Sequence, residues 1–526
     1  MHIGIDVGGT HTDAVLIAGD EILASTKSLT SADIVTGVVN ALTKVLEDGA
    51  ATGVQIDAVM IGTTQFTNAV IERRELAEVA AIRIGLPSGD GLPPMVDWPA
   101  DIKAAVGNHA YMLPGGYLYD NWPLAKFDDG KINDVLHDIK RKGLTHISIA
   151  SAFSPMNPEP EIFLAKKVKE IIPDARITLS HNIGRLGILE RENASILNTA
   201  LLSFADRVVD AFCLAISKLG MQCPVFISQN DGTLMNANYV KKYPALTFAS
   251  GPTNSLRGAF KLTGLSNAIV VDIGGTTSDI GVLQNGFPRE SSAIVDIGGV
   301  RTNFRMPDIN AIGLGGGSLV SSDGLTIGPQ SVGHKLVDDS LVFGGDRLTA
   351  TDLIVAAGGS DIGDKTKVSH LSEALVENGK KTITEMLDRA IDMMKLNSEP
   401  VPVILVGGGA VLVHVQLSTA SEILRPKHAE VANAIGASIA KISGESEKMV
   451  SYQNVSREDA IAQVTQEASK RAIAAGASEK SIETVDIEET AIPYMDGSST
   501  KLRIKVMGDV AALSTEQNIK AQEYES

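Results

Sequence analysis

The feature that most constrains the fold of this chain is that it repeats itself. Residues 4 to 16 read GIDVGGTHTDAVL and residues 270 to 282 read VVDIGGTTSDIGV; without a gap they share Asp6/Asp272, Gly8/Gly274, Gly9/Gly275, Thr10/Thr276 and Asp13/Asp279. Each copy has an apolar, β-branched run, a paired-glycine turn and a second apolar run, so each reads as strand, turn and strand. A single D-x-G-G-T is an ordinary hairpin as readily as a phosphate loop. Two in one chain predict two related α/β lobes that present their hairpins to a shared cleft. A third candidate, V-D-I-G-G-V at Val295 to Val300, lacks the hydroxyl residue and the second aspartate and is expected to take no part.

The residue types suit a nucleoside triphosphate. Gly8, Gly9, Gly274 and Gly275 let backbone N–H groups approach phosphate closely, and the Thr10 and Thr276 hydroxyls add donors. Mg²⁺ keeps several waters and takes one or two carboxylates, a role that fits Asp6 and Asp272 at the two hairpin mouths. Asp13 and Asp279 sit on the returning strands, where bracing the hairpin and a direct catalytic role are both open. Pro402 to Ala410, PVILVGGGA, reads as a strand entering a three-glycine turn. Gly407, Gly408 and Gly409 would let adenine and ribose pack on backbone, although a tight strand-to-helix turn gives the same pattern. Glu430 to Ala440 is rich in alanine, and Gly436 permits close helix approach, as a hinge helix between closing lobes requires.

Between the motifs the chain alternates strands and helices. Asp33 to Leu46, Glu159 to Ile172 and Ile188 to about Leu219 read as helices, the last from Leu197, Leu201, Phe204, Val208 and Phe212. Val59 to Gly62, Thr145 to Ala152, Ala175 to Ser180 and Pro224 to Ser228 read as strands. The segment Glu445 to Glu467 is charged and partly helical in character, and Ser481 to Gly508 reads as strands around an Asp496-Gly497 turn, with no chemistry assigned to either. The expected division is one lobe over 1–190, a second over 191–443, and a small α/β extension over 444–526.

With 526 residues, 44% apolar and 21% charged, the chain is long enough for more than one packed core. Its 46 Lys and Arg against 63 Asp and Glu leave −17 at neutral pH, which argues against nucleic acid as a partner. The two cysteines, Cys213 and Cys223, offer neither a disulfide framework nor a zinc spacing. With no basic leader after Met1, a reducing, cytoplasmic setting is expected. The longest uncharged run, Pro400 to Ser421, is broken by Pro402 and three glycines and reads as strand, turn and helix, not a membrane span.

The order of hairpin, second hairpin, glycine-rich adenosine turn and Ala/Gly hinge helix resembles the actin, sugar kinase and chaperone ATPase superfamily. Within it the chain is similar to the hydantoinase/oxoprolinase family, A-type ATP-binding chain. The similarity is carried by G-T-T-Q-F-T-N-A at Gly62 to Ala69, Leu179-Ser180-His181, Glu190-Arg191, Ser250-Gly251-Pro252, Asp272 to Asp279, and G-L-G-G-G-S at Gly313 to Ser318. The resemblance implies two RNase H-like lobes around an ATP cleft and ATP-assisted opening of a cyclic amide or imide. It points to Thr63, Thr64, Asn68, His181, Glu190 and Arg191 as substrate contacts. Helix capping by the threonines and a charged first helix turn are the structural alternatives. Asn310 and the stretch His334 to Asp338 depart from the family pattern, so the ring is not identified. The family's long chains carry a B-type half as well, which makes a B-type subunit the expected partner, alongside a homo-oligomer. A sugar or polyol kinase and a nucleotide-switched scaffold share the phosphate machinery and remain the alternatives.

Overall fold

The computed structural model describes residues 1–8, 11–29, 34–119, 121–291, 294–413, 415–491 and 499–511. Both repeats are antiparallel hairpins in equivalent registers. β1 (His2–Val7) pairs with β2 (His11–Ala18) so that Asp6 stands opposite Asp13. Strand Ala268–Ile273 pairs with Ser278–Gln284 so that Asp272 stands opposite Asp279. On its other side each first strand gains a parallel neighbour, β4 (Ala58–Thr63) in one lobe and Val401–Val406 in the other. β3 (Glu21–Leu29) closes the first hairpin's outer edge. Two α/β lobes on one plan follow, as the repeat requires.

The sheets do not respect the expected boundaries at 190 and 443. The first lobe's sheet has nine strands, in the order Glu483–Ala491, Ser499–Gly508, Ile442–Ser451, Leu234–Asn236, Val225–Ser228, β4, β1, β2, β3. Segments assigned to the second lobe and to the C-terminal extension therefore complete the first. The physical reason is strand direction: Val225–Ser228 runs parallel to β4, and a parallel neighbour needs a long crossover, here everything between them. The Glu445 to Glu467 stretch is partly helical, as expected. That stretch is split between strand Ile442–Ser451 and helix Arg457–Ala474, which lays Ala460, Val464, Ala468 and Ala472 on the sheet. The Asp496-Gly497 turn lies outside the described residues.

A four-stranded parallel sheet, His109–Pro114, Val79–Leu86, His146–Ser151 and Arg176–Leu179, forms a further unit with its own apolar core around Ile82, Ile147, Leu136 and Leu164. A buried Arg83–Glu192 pair, with Nε 2.7 Å from Oε2, fastens it to the long helix Ile188–Lys218. On that helix Leu197, Leu201, Val208 and Phe212 are buried as the spacing predicts. Phe204 is half-buried and meets Phe66 edge-on at 5.7 Å.

The hinge segment is shorter than expected: a 3₁₀ turn at Ala429–Val431, then a helix over Ala432–Ser438. It is wedged between the lobes with backbone against backbone. A Cβ at Gly436 would lie 1.8 Å from the Asn254 carbonyl oxygen, and one at Gly4 of β1 would lie 2.1 Å from the Ala434 oxygen. The V-D-I-G-G-V segment is a two-stranded ribbon, Val295–Ile297 with Val300–Thr302, held by Arg73 at the Gly298 oxygen. Among the described residues no helix is long and apolar enough to cross a membrane.

Candidate functional site

The two hairpin turns and the three-glycine turn converge on one cleft of 320 Å³, lined by Asp6, Gly8, Asp13, Asp272, Gly274, Gly275 and Gly407 to Gly409. Gly9 and Thr10 lie outside the described residues. Gly407 has φ +82°, and a Cβ there would sit 2.3 Å from Asp272 Oδ1, so only glycine lets this turn back onto the second hairpin. The G-L-G-G-G-S loop packs on the same hairpin, with Gly316 on the cleft lining: Gly316 N donates to Gly274 O at 3.0 Å and Gly317 N to Gly275 O at 2.7 Å. Thr276 is exposed on the turn and, like Asp279, is not on the cleft lining.

Carboxylates crowd the cleft floor. Asp6 is 6% exposed, and burial together with the charges of Asp13 and Asp272 pushes its carboxyl up to about 7. Asp279 is pushed up to about 7 by burial and by Asp272, and Asp13 and Asp272 are raised in the same direction, chiefly by burial. Lys27 offsets part of this charge. Its Nζ lies 2.8 and 2.9 Å from the two Asp13 oxygens and donates to Glu430 O at 3.3 Å. Asn433 donates to Asp6 Oδ2 at 2.8 Å, and Ser255 donates to Asp272 Oδ2. Asp6 Oδ1 has no partner among the described residues, and neither amide atom of the neighbouring buried Asn254 has one.

Among the described residues no group of three or more His, Cys, Asp or Glu side chains is placed to hold a metal ion. A hydrated dication needs fewer, and the unpartnered Asp6 Oδ1 beside under-compensated carboxylates is the donor set that Mg²⁺ takes. The fit has a thermodynamic signature. Asp6 titrates near 7 in the folded chain and near 3.9 when unfolded, so between those values the folded state binds the extra proton and stability falls as pH rises, levelling off above about 7. Mg²⁺ is therefore expected to raise the melting temperature by several degrees more at pH 8 than at pH 5.5. Equal gains at both pH values would take Asp6 away from the cation.

The residues the resemblance nominated as substrate contacts separate in space. Thr63 is buried and its Oγ1 accepts from Gln65 N at 3.2 Å, a local bond one residue ahead of the helix N-cap Thr64, whose side chain makes no capping bond. Thr64 and Asn68, half-buried on the next helical turn, bond each other at 3.4 Å. Arg191 is 1% exposed and spends its donors on Ser180 Oγ, Arg185 O and Ser151 O, so it braces the turn before the long helix instead of reaching a ligand. Glu190 is partly buried, 3.9 Å from Arg301. His181 lines a different cavity, described below. Sequence reading missed Lys27, Ser255, Asn254 and Asn433. Lys27 had a signal: a β2–β3 hairpin turning at Gly19-Asp20 brings Asp13 opposite Lys27. The other three had none: Ser255 and Asn433 meet their aspartates only through the fold, and the Asn254 side chain bonds no described residue at all.

A family model described as the hydantoinase/oxoprolinase N-terminal region matches residues 2–172, and one described as hydantoinase/oxoprolinase matches residues 191–361. The chain belongs to the hydantoinase/oxoprolinase family. Caprolactamase subunit alpha of Pseudomonas jessenii is 24% identical over 422 residues, covering 74% of this chain and 59% of that protein. The acetophenone carboxylase gamma subunit of Aromatoleum aromaticum is 25% identical over 410 residues, covering 68% and 53%. The chain thus spans little more than half the length of these relatives. Among solved structures, the ATP-dependent caprolactamase from Pseudomonas jessenii superposes with a TM-score of 0.76 at 18% identity, over 98% of this chain and 88% of that one. Nucleotide-free acetone carboxylase gives 0.70 at 15%, over 97% and 88%. The two hairpin-bearing α/β lobes described above are the fold this chain shares with these structures.

Proposed function

We propose that the chain is the ATP-using component of an enzyme that opens a cyclic amide or imide. The observation that carries this reading is the convergence, in a member of this family, of two aspartate-bearing hairpins and a glycine turn on one 320 Å³ cleft. Resonance keeps an amide carbon poorly electrophilic, and moving the γ-phosphoryl group onto the amide oxygen removes that resonance. Water then adds at the carbon, the C–N bond breaks as the ring nitrogen takes up a proton and leaves, and a second water hydrolyses the resulting acyl phosphate to carboxylate and inorganic phosphate. For the first step the chain supplies positioning and charge: glycine N–H groups at the phosphates, Lys27 as a cation on the lining, and Asn433 and Ser255 holding Asp6 and Asp272. Mg²⁺ held by Asp6 and Asp272 supplies charge neutralisation when bound. Asp13, paired with Lys27, acts on the phosphates through that lysine, whereas Asp279 stands opposite Asp272 in the second hairpin and off the cleft lining.

The two relatives are named as subunits, which supports a partner chain, of B type in this family, and the same reading takes a homo-oligomer in a reducing cytoplasm. Phosphate release from ATP and Mg²⁺ that depends on a hydantoin, 5-oxoproline or lactam, measured with and without a B-type chain, tests the proposal. Turnover indifferent to every ring in such a panel would defeat it. The similarity to the acetophenone carboxylase subunit favours one second reading, in which the same cleft serves carboxylation, and turnover that requires a ketone and bicarbonate would establish it.

A further inference from the structure

A second cavity opens at the same sheet edge as the nucleotide cleft. Asp6 is paired with Gly62 and Ile61 with Ile227, so Asp6, Gly62 and Ser228 form one row across three parallel strands, roughly 10 Å wide. Gln229 follows immediately and lines the cavity. The other walls come from the turn His181 to Arg185 ahead of the long helix, from Asn303 and Arg305, and from the strand that begins at Ile442. Its volume is 160 Å³. A cavity of about 150 Å³ holds benzene, so this one accommodates a five- to seven-membered ring.

Its polar atoms are specific. Asn303 Oδ1, Arg185 Nε and Arg305 Nε are buried and have no partner among the described residues. Asn303 Nδ2 donates to the carbonyls of Arg185 and Leu186, each at 3.2 Å, which fixes the other amide atom as the acceptor. The two guanidinium groups are already offset: Arg305 lies 2.6 Å from Glu445 and 3.2 Å from Glu290, and Arg185 lies 3.6 Å from Glu290. An offset pair favours a neutral polar ligand over an anion. His181 adds an oriented ring, because its Nδ1 lies 2.6 Å from Oε2 of the fully buried Glu161, which also takes Ser151 N, leaving Nε2 for the cavity. A ring amide is locked cis and shows its N–H and C=O side by side. It needs one acceptor and neighbouring donors, the set that stands here without partners.

We propose that this cavity binds the cyclic amide, its wall shifting enough to bring the buried Asn303 Oδ1 to the ring N–H and the buried Arg185 and Arg305 Nε groups to its carbonyl oxygen. The assignment rests on the cyclic-amide reading above and adds the place where the ring is bound; this cavity shares no lining residue with the nucleotide cleft, so the phosphoryl transfer of that reading requires the two to close on each other first.

The test uses the full chain with Mg²⁺ and a nonhydrolysable ATP analogue, titrated calorimetrically with δ-valerolactam, hydantoin and 5-oxoproline. Two variants accompany it. Asn182→Phe fills the cavity from its rim, where the asparagine side chain makes no hydrogen bond among the described residues, and Asn303→Ala removes the acceptor. At least one ring is expected to bind, and both variants are expected to weaken it roughly tenfold or more, with affinity for the ATP analogue unchanged. Wild-type ring affinity in a folded Asn182→Phe chain would place the ring elsewhere and overturn the site while leaving the cyclic-amide reading intact. Should Asn303→Ala fail to fold, Asn182→Phe alone decides. If no ring binds the wild-type chain and none stimulates ATP turnover, the functional reading falls, and the site with it.

Discussion

Asp6→Asn is expected to cut nucleotide turnover by about two orders of magnitude or more, while the variant folds and, without metal, is more stable at pH 8 than the parent chain. The two effects share one cause. Asp6 is 6% exposed and its Oδ1 has no partner, so as a bare carboxylate it is a cost to the fold, recovered only when a cation and phosphates arrive. Asparagine removes the charge along with the titration near pH 7, so the decline in apo stability between about pH 4 and pH 7 should shrink. Asp272→Asn should lose turnover similarly, since it stands at the equivalent place in the second hairpin. Magnesium-dependent ATP turnover alongside thermal melting at pH 6 and pH 8 checks both parts. Unchanged turnover in either variant would remove that carboxylate from the nucleotide machinery. A destabilised Asp6→Asn apo chain would show that the Asn433 bond outweighs the charge.

Gly436→Val is expected to yield no stably folded protein. Close approach at Gly436 was foreseeable from its alanine-rich surroundings, and on that basis the substitution would weaken ATP affinity more than folding. The structure makes the penalty larger. The missing Cβ would sit 1.8 Å from the Asn254 carbonyl oxygen and 2.8 Å from Gly258 N, both backbone atoms of helix Ser250–Thr263 that cannot rotate away. The same helix presents Ser255 to Asp272 and Asn254 beside Asp6, so any shift that relieves the clash also displaces the cleft floor. A loss beyond about 4 kcal/mol is expected, from overpacking against backbone. Soluble expression and chemical denaturation would show it. A well-folded Gly436→Val chain with weak ATP binding would instead support a purely hinge-like role, and one with normal ATP binding would contradict both.

Sequence alone determined what depends on local pattern. The two D-x-G-G-T-x-x-D copies predicted two hairpins because paired glycines between apolar runs leave few other conformations, and the structure pairs Asp6 with Asp13 across the first. The long helix was readable to within a residue because a four- and three-residue apolar spacing sustained from Leu197 to Phe212 admits no strand. The family, and with it the cleft, was legible in motifs that are each short and contiguous.

Tertiary structure alone decided everything that joins residues distant in the chain. No local signal places Val225–Ser228 and Ile442–Ser451 in the sheet of β1, because a strand's neighbours are chosen by backbone pairing and not by its own sequence. The same holds for Asn433 on Asp6 and Ser255 on Asp272. Arg191 illustrates the limit most sharply: the family resemblance nominated it as a ligand contact, yet burial obliges it to satisfy Ser180, Arg185 and Ser151. His181 went the other way. Its isolated position in the sequence carried little, and only folding brought it to a cavity whose unpaired donors and acceptor come from Arg185, Arg305 and Asn303. Local sequence fixes conformation through steric and periodic rules that act over a few residues, whereas a binding site is a set of leftover polar atoms, and which atoms are left over is known only after every other partner has been chosen.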